Sequence, residues 1–261
     1  MSGGPLRDVL TLLLGFVTGV LSGVFGVGGA VVSTPGIRLL GASAKLAIGS
    51  TLPSVLPSSI AGTLRYHREG MVEWRAVAWV TPLGIAASVG GAFLTDVLPG
   101  NGHLLQIFTA LLLATNAVRL LRERPLSMRV VEHPAPPYRA RLLMIGILSG
   151  GLSGLLGIGG GVVMVPAFSQ WAHLSLKRSI ATSLACVGLF AIPGTITHAA
   201  LGNIDWHFAL LLSAAVVPGA RIGSAFAVKA TDTRLRTSVG LFLGLVAIAF
   251  AVGETIALVR S

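Results

Sequence analysis

The groups of this chain best suited to chemistry are backbone N–H groups rather than side chains. Two related glycine runs stand out: "GVLSGVFGVGGAVVSTP" from Gly19 to Pro35 and "GLSGLLGIGGGVVMVP" from Gly151 to Pro166. Glycine adopts positive φ without a steric penalty and lets a ligand approach the backbone closely. A glycine turn that opens a short helix aims free N–H groups, at the positive end of the helix dipole, into whatever space lies ahead of it, and such a site wants an anion. The candidate donors are therefore Gly28, Gly29 and Ala30 in the first run and Gly159, Gly160 and Gly161 in the second. Close helix packing through small residues is the competing role and suits Gly19, Gly23 and Gly154. Four glycines among five positions, Gly157 and Gly159 to Gly161, cost more helix propensity than packing requires.

Hydroxyls and one cation extend the candidate site. Ser50 and Thr51 recur in the second half of the chain as Thr182 and Ser183, and Thr63 recurs as Thr195. Paired hydroxyls can donate to oxyanion oxygens, or they can bond back to their own helix carbonyls. Arg221, in "VVPGARIGSAF", is a basic residue placed well within an apolar element, where it serves an anion or snorkels to the interface.

Carboxylates are missing from the same regions. All nine acidic residues, Asp8 and Glu254 among them, fall in loops or near element ends. This argues against cation binding at mid-membrane and against an enzyme, for which no carboxylate pair, histidine cluster or nucleophile with a base can be assembled. His67 and His198, one step out of register between the halves, are the candidates for proton coupling. The single cysteine, Cys186, reads as a small buried residue and rules out a multi-cysteine metal site. Neither glycine run sits in a soluble βαβ unit or precedes a Gly-Lys-Ser/Thr sequence, so no nucleotide cofactor is expected, nor any other cofactor.

The elements that must position these groups are membrane helices. Of 261 residues, 53% are apolar and 11% charged, against roughly a quarter charged in soluble domains; mean hydropathy is +0.84. Apolar windows long enough to cross a ~30 Å hydrocarbon core run near 9–35, 45–64, 74–95, 103–121, 141–168, 179–200, 206–228 and 237–258. Strand-like alternation is absent, so the expected fold is an all-α polytopic membrane protein, with no cleavable signal at its start. The net charge of +10 reads as a set of topology signals beside these segments, not as a nucleic-acid surface.

The chain is an internal duplication. Leu21–Pro35 and Leu152–Pro166 are identical at nine of fifteen positions, and "IAGT" at Ile60 matches "IPGT" at Ile192. Each repeat holds four hydrophobic elements: residues 1–122 form the first, 123–139 an Arg/Pro-rich linker and 140–261 the second. Pro53, Pro57 and Pro193 lie inside elements and mark kinks or gates. If all eight elements cross, basic residues divide eleven to seven; if the glycine elements are re-entrant or broken helices, they divide fourteen to four. The positive-inside rule favours the second arrangement. It makes the halves inverted repeats, with both termini outside and the linker cytoplasmic, an architecture that places a substrate site at the repeat interface.

The paired "GVFGVGGAVVSTP" and "GLLGIGGGVVMVP" motifs, the "AIGSTL" and "IATSLA" segments and "PGARIGS" near Pro218 resemble the TauE/SafE family of sulfite exporters and related organosulfur permeases over nearly the whole chain. The resemblance implies a multi-pass inner-membrane secondary carrier for a small sulfur oxyanion, such as sulfite, a sulfonate, sulfoacetate or thiosulfate. The first repeat departs from the pattern with Ala30 where the second has Gly161. The expected partners are that anion and the lipid bilayer, with no nucleic acid and with a homodimer left open. An anion channel and a membrane scaffold without substrate are the alternative readings.

Overall fold

A computed structural model describes residues 4–97, 111, 114, 115, 117, 118, 121, 138–156 and 160–260. Every regular element among the described residues is an α-helix: α1 Pro5–Phe25, α2 Ala30–Leu39, α3 Ala44–Arg68, α4 Trp74–Val97, α5 Tyr138–Leu156, α6 Gly161–Gln170, α7 Leu176–Ala200, α8 Trp206–Lys229 and α9 Asp232–Arg260. Three of these, α1, α7 and α8, are long and apolar enough by composition to cross a membrane. The expected windows correspond to these helices, except that most of 103–121 and most of the 123–139 linker lie outside the described residues.

Two positions matched in the sequence use the same helix start. Ser43 caps α3 by accepting from the Leu46 N–H at 3.4 Å, and its counterpart Ser175 caps α7 from the Arg178 N–H at the same distance. Such caps satisfy one of the four orphan donors of a first turn. Pro5 opens α1, where its missing N–H costs nothing, and Gly26 closes it in the left-handed region at φ 70°.

Helix pairing follows the small residues. α1 lies along α8 in parallel, with Gly15, Gly19 and Gly23 set against the α8 backbone from Leu212 to Ser224, and Gly219 and Gly223 set against α1 in return. α5 lies along α4 in the same way, Gly146 on Val80 and Gly150 on Gly84. In hydrocarbon no hydrophobic drive separates helix from lipid, so close backbone approach through glycine supplies the packing. Gly19 and Gly23 have the packing role expected of them. α3 and α7, which are counterparts, cross at the middle, where Gly188 faces Ser59.

Two ends of the bundle can be told apart by their contacts. At one, Asp8 reaches His207 at 2.8 Å and Gly41 lies by Arg7. At the other, Arg178 reaches Glu73 at 3.8 Å, Lys177 donates to the Val228 carbonyl at 2.9 Å, and Arg139 lies over the Trp79 ring at 5.0 Å. α2 runs back along α1: Gly29 lies by Thr18, Gly36 by Leu14 and Gly41 by Arg7. α6 does the same on α5, with Gly160 by Ser153 and the Trp171 carbonyl accepting from Arg141 Nη1 at 3.2 Å.

Candidate functional site

Both glycine runs turn the chain and start a ten-residue helix. In the first, Gly26, Gly28 and Gly29 have φ of 70°, 75° and 80°, and all four residues from Gly26 to Gly29 are buried. Gly29 is the N-cap of α2; the Val32 and Ser33 N–H groups donate to its carbonyl at 3.0 and 3.2 Å. In the second, Gly160 at φ 65° caps α6, and the Val163 and Met164 N–H groups donate to its carbonyl at 3.2 and 3.1 Å. The two caps share one construction. Gly159 lies outside the described residues.

The turns meet. A methyl placed on Gly161 would lie 2.6 Å from both the Gly26 carbonyl oxygen and the Val27 Cα, which explains why the second run needs glycine at this position. At Ala30, its counterpart, a methyl is present and fully buried among Val55, Met164 and Val187. The Ser183 hydroxyl donates to the Gly26 carbonyl at 2.9 Å and pins the first turn to the second half.

Of the expected hydroxyls, Ser183 reaches the first turn, and Thr51 bonds farther along α2. Thr51 donates to the Ile48 carbonyl at 3.0 Å and lies 3.1 Å from the Thr34 hydroxyl on α2. Ser50 and Thr182 do not converge on the first turn. Ser50 Oγ accepts from the Asp205 N–H at 2.8 Å, ahead of α8, and Thr182 Oγ1 accepts from the Glu73 N–H at 3.1 Å, ahead of α4. Since Asp205 and Glu73 are themselves counterparts, each half's central helix reaches across to the same point of the other half. Arg221 is exposed, on a face of α8 away from the glycine contacts to α1. Cys186 is buried, as expected of it.

Beside the second turn lies a cavity of about 30 Å³, lined among others by Leu52, Ser88, Ser153, Gly194, Thr197 and His198, room for roughly two water molecules. Ser88 and Ser153 are 6% and 8% exposed. Ser153 also lies under Gly160, so it joins the cavity to the turn. Sequence reasoning weighed His198 for proton coupling alone and passed over Ser88, Ser153 and Thr197. A signal existed in Phe190, Pro193, Gly194, Thr197 and His198, whose spacing of three and four puts them on one helix face. Among the described residues no group of three or more His, Cys, Asp and Glu could hold a metal.

The family profile described as "Sulfite exporter TauE/SafE" matches residues 11–250. A "probable membrane transporter protein" of Methanocaldococcus jannaschii is 25% identical over 252 residues, covering 90% of this chain and 92% of that one. A protein of the same description from Xylella fastidiosa is 28% identical over 253 residues, covering 94% and 93%. The "probable membrane transporter protein YunE" of Bacillus subtilis is 26% identical over 236 residues, covering 82% and 85%. No solved structure matches. The chain belongs to the TauE/SafE family and is a membrane transporter.

Proposed function

We propose that this protein is a secondary carrier of a small sulfur oxyanion in the cytoplasmic membrane, working by alternating access of two inverted halves around the paired glycine turns. The observation that carries the reading is the contact of the two turns at the buried centre, Gly161 against Gly26 and Val27, with α2 and α6 both starting there. Each helix start concentrates the equivalent of roughly half a positive charge, and two such starts favour an anion where a carboxylate would have favoured a cation. In this reading Gly28, Gly29, Ala30, Gly160, Gly161, Thr51 and Ser183 would contribute to the anion site, and Gly159, outside the described residues, would join them.

The antiparallel return of α2 on α1 and of α6 on α5 supports re-entrant hairpins. Each half would then add three crossings to its hairpin, and equivalent helices would start from opposite ends of the bundle. Charge fits this topology. Arg68, Arg75, Arg139, Arg141, Lys177, Arg178, Lys229, Arg234 and Arg236 gather toward one end, while Arg7, Arg38 and Lys45 gather toward the other. The first end is the cytoplasmic one by the positive-inside rule. The cross-half bonds from Ser50 and Thr182 would hold each central helix to its partner half as the halves rock. The exposure of Arg221 leaves it to the lipid-facing surface in this state.

Radiolabelled sulfite, thiosulfate and sulfoacetate flux into proteoliposomes tests the reading. The expected result is saturable flux of at least one of them, with trans-stimulation. Flux that rises linearly with concentration would replace the carrier with an anion channel. Absence of flux for all three, with no ligand-induced rise in melting temperature, would leave a scaffold.

A further inference from the structure

We propose that the cavity among α3, α4, α5 and α7 is a subsite for a compact oxyanion in the second half, and that Tyr66 fills the equivalent space in the first. The inference rests on the anion-carrier reading above and adds the site, the size of ligand and the side of the molecule that is open. The repeat sets Leu52, Gly154, Gly194 and His198 of the cavity against Leu184, Gly23, Gly62 and Tyr66. In the first half that space is closed. Tyr66 is fully buried and its hydroxyl donates to the Gly23 carbonyl at 2.7 Å, while Leu184 presses onto Gly62. In the second half Leu52 stands off, 3.4 Å from where a Gly194 methyl would be. Imidazole is smaller than phenol, and the cavity is the difference.

Its chemistry is also set by departures from the repeat. In the first half Ser22 accepts a bond from Ser58 at 2.9 Å. In the second half the counterparts are Ser153 and Phe190, and phenylalanine has no hydroxyl to give, which leaves Ser153 to the cavity. Ser88, from α4, adds a second hydroxyl, and His198 and Thr197 complete the polar wall, the Thr197 hydroxyl donating to the Pro193 carbonyl at 2.9 Å. Among the described residues that line the space there is no Asp or Glu. Room for roughly two water molecules limits a ligand to a few heavy atoms, which suits sulfite better than a sulfonate with a carbon tail.

The test is to install the first half's plug in the second. His198→Tyr, in the full chain purified in detergent, is expected to melt no lower than wild type without ligand and to lose the sulfite-induced rise in melting temperature. His198→Gln, which leaves the space open, should keep most of that rise, and Ser153→Ala should weaken sulfite at least several-fold. His198→Tyr that folds and retains the full sulfite shift overturns the proposal. If that variant does not fold, an undiminished sulfite affinity in Ser153→Ala and Ser88→Ala overturns it instead. A separate measurement keeps the cavity distinct from the transport reading. Ser153→Cys in a Cys186→Ala background should react with a sulfonate-bearing methanethiosulfonate, and His198→Tyr added to it should suppress that reaction. If wild type shows no sulfite response while this labelling behaves as expected, the carrier reading fails for sulfite and the anion-accessible cavity stands. An unreactive Ser153→Cys refutes the cavity itself.

Discussion

A single methyl group added at Gly161 probes whether the two glycine turns touch in the state the protein occupies. Gly161 opens α6 with ordinary helical φ, so the substitution brings no backbone penalty, and alanine gains at most ~1 kcal/mol of helix propensity over glycine. Against that gain stands a methyl 2.6 Å from both the Gly26 carbonyl oxygen and the Val27 Cα. Both are backbone atoms of a buried turn held by Ser183, and they cannot rotate away as a side chain would. Overpacking of this kind costs ~1–3 kcal/mol, centred on a net loss of about 1–2 kcal/mol once part of the propensity gain is subtracted. For a chain of this size that corresponds to a fall in melting temperature of roughly 2–8 °C. Gly151→Ala is the matched control: it lies inside α5 with no atom within 4 Å of the added methyl, so it should melt at wild-type temperature or slightly above. Thermal unfolding of the three proteins in one detergent measures the difference. Gly161→Ala melting at or above Gly151→Ala would refute the contact between the turns.

Other substitutions test the remaining parts. Ser50→Ala and Thr182→Val each leave a backbone N–H of the opposite half without its partner, and each should lower stability by ~1 kcal/mol, read as melting temperature. Single cysteines at Leu39 and Leu201 in a Cys186→Ala background should label from the periplasm. Cysteines at Glu69 and Thr233 should label only after permeabilisation. Labelling of Leu39 and Leu201 from opposite sides would sink the hairpin topology. Arg221→Ala should reduce sulfite flux less than His198→Tyr does, since its side chain lies on the exposed face of α8.

The apolar windows carried most of the helix order, because long apolar runs report directly on membrane-length helices, whereas the caps that end them were not read from the sequence. Pro5, Ser43 and Ser175 are local signals and act locally. The glycine turns were legible because positive φ at Gly29 and Gly160 is a property of a few residues. What those positions do to each other was not legible. Gly160 has both a positive φ and the Ser149 carbonyl 2.6 Å from any added Cβ, so an alanine there disturbs the fold whether or not an anion binds, and it cannot separate packing from binding. Ser50 and Thr182 matched in the alignment and looked like two halves of one site. Their partners, the Asp205 and Glu73 N–H groups, lie 155 and 109 residues away in the chain, and no pattern within one segment shows where a distant loop will dock. The cavity escaped for a related reason, since Ser88, Ser153 and Thr197 come from three helices and are unremarkable in each.

Differences between the halves bear on mechanism because two identical inverted halves would leave inward-open and outward-open states equal in energy apart from their lipid and solvent surroundings. In the proposed carrier, asymmetric contacts would therefore set the resting orientation. The Tyr66 hydroxyl on the Gly23 carbonyl is one: it closes the space toward the Arg68 end of α3, while His198, toward the Ala200 end of α7, leaves its counterpart open. A buried hydrogen bond of this kind contributes ~0.5–1.5 kcal/mol net. With ~1.4 kcal/mol per factor of ten, a bond made in only one of the two proposed states would shift their ratio by about two- to twelve-fold, enough to set a resting state without locking it. Tyr66→Phe keeps the ring and removes the bond. It should therefore move the balance by that factor toward the state open at the basic end, seen as faster labelling of a cysteine at Ser22 from the cytoplasmic side. An unchanged labelling rate would mean that the ring, and not its hydroxyl, holds that end closed.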